Sequence, residues 1–118
     1  MSRTDPLEKD WKIFRELREV ALERLCERAL RKARAVVEDP SRPALARFRD
    51  LAALVDERQD WIARGFDDAK RSAMLFQLAF LHAIDLVEGE ELARFSAATR
   101  ERVVSLASVI SGAAEQRR

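Results

Sequence analysis

The sequence predicts an all-α fold, a single-domain bundle of about four main helices with a short extra helical turn. Glycine and proline are scarce, three of each in 118 residues, and nearly all of them stand where a helix should begin or end. Apolar residues recur every three or four positions along most of the chain, which is the period of an amphipathic helix. The segment 72–87 has twelve apolar residues among sixteen. We therefore expect a buried, central third helix with neighbours on almost every side.

The first helix is predicted from Pro6 to about Glu38. Asp5 before Pro6 is typical of an N-cap followed by the first helical residue. The helix ends at Asp39, because the residue before Pro40 is pushed out of the helical region. The apolar positions of this helix recur at intervals of three and four and are Leu7, Trp11, Phe14, Leu17, Ala21, Leu25, Ala29, Ala33 and Val36.

The second helix follows the corner DPSRP. Ser41 is the expected N-cap, with Pro43 in the first turn. Gly65 is predicted as the left-handed residue that ends this helix, and Asp67 as the N-cap of the next. The stripe that we expect to be buried consists of Leu45, Phe48, Leu51 or Ala52, Val55 and Ile62.

The third helix is predicted to begin in the segment DDAKR and to end at Gly89. EELARF then forms one or two helical turns, and Ser96 caps a last helix that buries Val103, Leu106, Ala107 and Ile110. Residues 1–5 and 113–118 are expected to fray. All connections are short, as between antiparallel neighbours in one bundle, so residues 1–118 are predicted to form a single domain.

Composition restricts the environment and the partners of the chain. The 22 basic and 21 acidic residues nearly cancel, which argues against a long-range field that would attract nucleic acid or an anionic membrane. A single cysteine, Cys26, favours a reducing compartment. The N-terminus has no apolar signal segment, and the segment 72–87 is too short and too polar to cross a bilayer. We expect a cytoplasmic protein without a cofactor or membrane contact.

His82 and Asp85 are the candidates for acid-base chemistry. They stand three residues apart on the predicted third helix, so their side chains could meet. The sequence favours a structural polar pair instead, because buried polar groups need partners. One histidine, one cysteine and no ligand-spaced motif predict no metal site. No glycine-rich phosphate loop is present, which argues against a P-loop or Rossmann nucleotide site.

A basic corner between Arg24 and Arg49 is the candidate anion-binding site. This segment contains eight basic residues and only three acidic ones. Arginines in such clusters bind phosphate, RNA or acidic partners. No aromatic residue is interleaved before Phe48 and no recognised nucleic-acid motif accompanies the cluster, so the sequence favours a solvated face. The residues assigned to the candidate site are Arg24, Arg28, Arg31, Lys32 and Arg42.

The length of the first helix predicts an interface with another chain. At 1.5 Å per residue it is about 50 Å long, whereas a compact domain of this size has a diameter of roughly 35 Å. One end must overhang, and apolar surface there is normally covered. Because two-fold dimers are the commonest oligomers, we expect a homodimer. The candidate interface residues are Leu7, Trp11 and Phe14 at one end, and Val36 and Val37, beside Ala29 and Ala33, at the other.

The chain contains four segments in the order KDWKIFREL, KRSAMLFQLAFLHAIDL, EELARFS and RERV. In these segments it resembles a family of small, uncharacterised bacterial helical proteins. The resemblance covers most of the chain and implies a complete bacterial protein, but it brings no activity or site residue. We therefore expect a non-enzymatic protein-interaction or structural module that self-associates. The alternatives are a nucleic-acid or anion-binding accessory protein that uses the basic corner, and an enzyme or small-ligand site around His82 and Asp85.

Overall fold

A computed structural model describes the backbone of residues 6–116 and the side chains of residues 7–112. This part of the chain contains no strand, which confirms the all-α class. A short 3-10 turn, Arg71–Ala73, leads into the third helix. The fraying expected at residues 1–5, 117 and 118 lies outside the described residues, whereas the last helix continues through residue 116. The helices are α1 (Pro6–Val37), α2 (Ala44–Phe66), α3 (Met74–Ala83), α4 (Gly89–Leu92) and α5 (Ala97–Gln116).

The third helix is central, as predicted. α3 packs against α5, α2 and α1, and Leu78, Ala79 and Leu81 on it are fully buried. Its exposed residue is Phe76. The core around α3 draws on the first half of α1, the end of α2 and the segment from Leu86 to Val103. It includes Ile13, Phe14, Leu17, Ala21, Leu25, Phe66, Met74, Phe80, Val87, Leu92 and Phe95.

α1 and α2 form an antiparallel hairpin that extends beyond this core. The molecule measures 65 × 28 × 25 Å and its radius of gyration is 17.0 Å, larger than the roughly 13 to 14 Å of a compact domain of this length. Between residues 26 and 64, all of which the structure describes, Leu54 is the only buried residue. The predicted overhang of helix one therefore lies at its C-terminal end. We call residues 29–55 the hairpin tip.

α3 ends at Ala83, earlier than the end at Gly89 that its sequence predicts. Asp85 adopts a left-handed backbone with φ 64°, and a pair of hydrogen bonds closes the helix there. The Leu86 N–H donates to the Leu81 carbonyl (2.9 Å), and the Asp85 N–H donates to the His82 carbonyl (3.1 Å). This is the Schellman arrangement. Aspartate tolerates the left-handed region better than most residues, so the helix ends without the glycine that would have signalled it.

Gly65 also has a different role from the predicted one. It lies inside α2 and is buried, and no described glycine has a positive φ. A Cβ atom at this position would lie 2.9 Å from Leu81 Cδ2 and 3.3 Å from Phe80 Cδ2. Glycine is therefore required because α2 and α3 approach each other closely here.

Two of the three predicted interior N-caps are wrong. α2 begins after Pro43, and Ser41 instead donates from its N–H and its hydroxyl to the Asp39 carboxylate, at 2.9 and 2.6 Å. Asp67 follows α2 as an extended residue, and the 3-10 turn separates it from α3. Ser96 does cap α5, since its Oγ accepts a 3.4 Å hydrogen bond from the Thr99 N–H.

Candidate interaction surface on the helical hairpin

The apolar stripe of α2 is uncovered at the hairpin tip. The spacing of these residues predicts a buried stripe, but Leu45, Phe48 and Val55 are 60%, 70% and 46% exposed. The buried residues of α2 are Leu54, Gly65 and Phe66. The reason is positional, because α3 covers only the end of α2 that leads into it. The stripe repeats at intervals of three and four as Leu45, Phe48, Ala52, Val55 and Ile62, with the polar Gln59 at the position between the last two.

α1 adds apolar side chains next to this stripe. Leu30 and Val37 are 70% and 46% exposed, and Ala33 is half-buried. A groove of about 250 Å³ runs between the two helices. We call the continuous surface the hairpin face. Its main members are Leu30, Ala33, Val37, Leu45, Phe48 and Val55. The groove is lined by Leu25, Cys26, Ala29, Leu30, Ala33, Leu54, Val55, Arg58, Gln59 and Ile62.

The structure separates the candidate interface residues. Phe14 is fully buried in the core, so its assignment to an interface is wrong. Trp11 is half-buried, with its ring centroid 5.9 Å from that of Phe14. Leu7 is exposed at the opposite end of α1 from the hairpin face. Val36 is half-buried, and Val37 belongs to the hairpin face.

Two opposite charges flank the stripe on α2. Arg49 and Asp56 stand seven residues, about two turns, apart and both are exposed. Neither makes an ion pair or side-chain hydrogen bond within the described residues. The neighbouring arginines are engaged, since Arg42 donates to Asp50 at 2.8 Å and Arg47 donates to the Val37 carbonyl at 2.6 Å. The unpaired charges are therefore at the edge of the hairpin face.

The basic corner does not assemble into one site. Arg24 donates to the Leu86 carbonyl (3.0 Å) and to Glu91 Oε2 (2.8 Å), and the hydrogen bond from Arg24 lowers the pKa of Glu91. Arg28 donates to the Asp85 carbonyl at 2.6 Å. Arg24 and Arg28 thus bind the backbone at the end of α3. Arg42 lies at the corner between α1 and α2, where it pairs with Asp50. Arg31 and Lys32 are exposed and have no ion pair in the described chain.

The side chains of His82 and Asp85, whose spacing allows them to meet, make no hydrogen bond or ion pair with each other. Asp85 follows the end of α3 and is exposed. His82 is half-buried, and its Nδ1 atom is buried without a hydrogen-bond partner among the described residues. The described chain also holds no group of three histidine, cysteine, aspartate or glutamate side chains placed to bind a metal. No helix in it has the length and hydropathy to cross a membrane.

Comparisons with known proteins add nothing to this geometry. Neither the protein-family models nor the curated proteins nor the solved structures contain a significant match to the chain. The hairpin face is thus identified by its own side chains. The overhang calculation indicated the α1 side of this face through Ala33 and Val37, whereas the stripe on α2 was predicted to be core. The stripe on α2 repeats every seven residues, and this repeat was the signal that could have identified the stripe as a contact surface for another helix.

Proposed function

We propose that this chain is a non-enzymatic protein-interaction module that self-associates through its hairpin face. The observation that carries the proposal is the uncovered stripe on α2, where Leu45 and Phe48 remain 60% and 70% exposed. Single exposed apolar residues are ordinary, but contiguous apolar patches usually mark interaction sites. Here the exposed residues are contiguous, because the stripe adjoins the groove between α1 and α2.

The spacing of the stripe supports a helical partner. Positions 45, 48, 52, 55, 59 and 62 follow the alternation of three and four that defines the a and d positions of a coiled coil. A groove of about 250 Å³ is smaller than the 300 to 1,000 Å³ of most small-molecule sites, and it is open along the hairpin. It suits a row of side chains from another helix better than a substrate.

The alternatives receive less support. The acid-base candidates His82 and Asp85 are separated by the end of α3, which leaves the enzyme hypothesis without an assembled pair. The anion-binding alternative loses Arg24 and Arg42 to ion pairs with Glu91 and Asp50. The cytoplasmic location expected from the sequence remains part of the proposal and is supported by the single unpaired cysteine.

Light scattering and sedimentation at micromolar concentration test the proposal. We expect a mass of about twice 13.5 kDa for the wild type, and dissociation in Phe48→Asp, because a carboxylate at the centre of an apolar interface is costly to desolvate. Phe76→Asp is the matched control, since Phe76 is 53% exposed on α3, outside the hairpin. Circular dichroism verifies that both variants keep their helices.

Two results would contradict the proposal. The first is a monomeric wild type at every concentration up to hundreds of micromolar. The second is a dimer that withstands Phe48→Asp and dissociates on Phe76→Asp, which would place the interface on α3. Salt-sensitive binding of RNA by the wild type, abolished when Arg31 and Lys32 are replaced by alanine, would instead support the anion-binding alternative.

A further inference from the structure

We infer that the helix that covers the hairpin face is α2 of a second copy of this chain, packed antiparallel across a two-fold axis near Ala52 and Ala53. This inference rests on the proposed function, since it specifies the partner and the orientation at the same surface. Three features of α2 support it: the length of the stripe, the two unpaired charges at its edge, and the position of the groove.

The stripe has the symmetry that an antiparallel pair requires. It runs from Leu45 near the start of α2 to Ile62 near its end, so its midpoint lies between Ala53 and Leu54. In an isologous pair the same surface serves both copies, and an axis near this midpoint lets every apolar residue of one stripe meet the other. Leu45 of one copy then lies near residues 60–62 of the other.

The charges give nearly the same axis independently. Arg49 and Asp56 flank the stripe, are exposed, and have no ion pair within the described residues. Their midpoint lies between Ala52 and Ala53, within one residue of the stripe's midpoint. An antiparallel partner therefore places Arg49 of each copy beside Asp56 of the other. In a parallel pair the same positions of the two helices lie on opposite sides of the contact, so Arg49 and Asp56 would both stay without a partner.

The groove provides a third match. Around an axis between Ala52 and Ala53, Phe48 of the second copy lies level with residue 57 and Leu45 with residue 60. The groove is lined on the α2 side by Leu54, Val55, Arg58, Gln59 and Ile62, which spans those levels. The most exposed side chains of one stripe thus reach the groove of the other copy. Two hairpins joined in this way form a four-helix bundle.

A charge-swap series tests the orientation. We expect Arg49→Asp and Asp56→Arg each to weaken self-association about tenfold, because each exchanges two attractive pairs for two repulsive ones and exposed pairs are individually weak. The double variant, Arg49→Asp with Asp56→Arg, should restore wild-type affinity. Glu101→Arg, a charge reversal at an exposed position of α5, is the control and should leave the affinity unchanged. In a parallel dimer positions 49 and 56 do not meet, so neither the single variants nor the double variant would change the affinity through this pair.

A distance measurement tests the same point without altering the charges. Nitroxide labels are attached to Ser41→Cys in a Cys26→Ala background, and dipolar spectroscopy measures their separation in the dimer. Antiparallel packing predicts about 30 Å, since each label lies roughly ten residues from the axis along its helix. Parallel packing predicts less than about 20 Å, because the helices are only 8 to 10 Å apart.

The outcomes separate the two proposals. A monomeric wild type refutes both. A dimer that Phe48→Asp dissociates, but whose tip labels lie close together and whose affinity the charge swap does not restore, leaves the proposed function standing and overturns the antiparallel arrangement. A dimer insensitive to Phe48→Asp overturns both, because the interface then lies elsewhere. Restored affinity in the double variant, together with distant labels, supports the arrangement.

Discussion

Asp10 and Ser96, 86 residues apart, join the start of α1 to the start of α5. The Asp10 carboxylate accepts hydrogen bonds from the Ser96 N–H (2.9 Å) and the Ser96 hydroxyl (2.7 Å), and a third from the Thr99 hydroxyl (2.7 Å). Asp10 is only 1% exposed. A buried charge is tolerated when such donors surround it, so this cluster fixes how α5 is seated on the core.

Asp10→Ala should destabilise the fold by about 2 to 4 kcal/mol, because the buried donors of Ser96 and Thr99 lose their acceptor. Urea denaturation followed by circular dichroism measures the change in the free energy of unfolding. Lys9→Ala, at the exposed neighbouring position, is the control and should stay within about 0.5 kcal/mol of the wild type. Equal stability of the two variants would mean that the cluster adds nothing to the fold.

The glycines of α2 and α5 should respond in opposite ways to replacement by alanine. In an open helical site alanine is more favourable than glycine by up to about 1 kcal/mol, and nothing lies within 4 Å of a Cβ at Gly112. At Gly65 the new methyl group meets Leu81 and Phe80, and overpacking a core typically costs about 1 to 3 kcal/mol. Thermal melting should therefore show Gly112→Ala at or above the wild-type Tm and Gly65→Ala below it. A stabilised Gly65→Ala variant would mean that α2 and α3 can separate without cost.

The helices were predictable from sequence, whereas the tertiary reasons for their ends were not. Apolar periodicity and Asp39–Pro40 located α1 to within a residue or two. The end of α3 was missed because Asp85 occupies a position usually held by glycine. Gly65 was misread because the close approach of Leu81 is a tertiary fact that no local pattern records.

The candidate surface was only half predictable for a related reason. The spacing of Leu45, Phe48 and Val55 identifies a side of α2 that should be covered, but it does not specify whether the cover comes from the same chain. The overhang of α1 past the core was the physical reason to expect an uncovered surface, and Val37 was among the residues that it indicated. The same calculation applied to α2 would have added Phe48 to the candidate surface.

The central position of α3 predicts a contrast between two adjacent turns. Leu81→Ala should cost about 2 to 5 kcal/mol, since truncating a fully buried leucine removes contacts and leaves a cavity. Phe80→Ala, at 5% exposure, should have a similar effect. Phe76→Ala, one turn earlier on the same helix and 53% exposed, should cost less than about 1 kcal/mol. Chemical denaturation decides this, and a mild effect at Leu81 would contradict the central packing of α3.

Glu91 should make the fold sensitive to acid. The hydrogen bond from Arg24 lowers the pKa of Glu91 below that of an ordinary glutamate, so the stabilisation is complete above the ordinary pKa and is lost as pH falls through the lower, folded-state pKa. Glu91→Gln should therefore be less stable than the wild type near pH 7, by about 1 to 3 kcal/mol, and the gap should narrow at lower pH. Denaturation of both proteins at several pH values measures the gap. Glu90→Gln, at the exposed neighbouring position, should show no such change, and a gap that stays constant down to pH 3 would exclude the Arg24 pair as its source.

The hairpin tip should be the least stable part of the monomer and should gain protection on self-association. Residues 26–64 contain one buried residue, Leu54, and segments with few buried contacts open locally at low free-energy cost. Amide hydrogen exchange at low concentration should thus be faster in residues 29–55 than in α3. Raising the concentration should slow exchange at the tip through mass action while leaving α3 nearly unchanged, and Phe48→Asp should abolish that dependence. Tip amides as protected as those of α3 at the lowest concentration would show that the hairpin needs no partner, because its two helices would then hold each other without further cover.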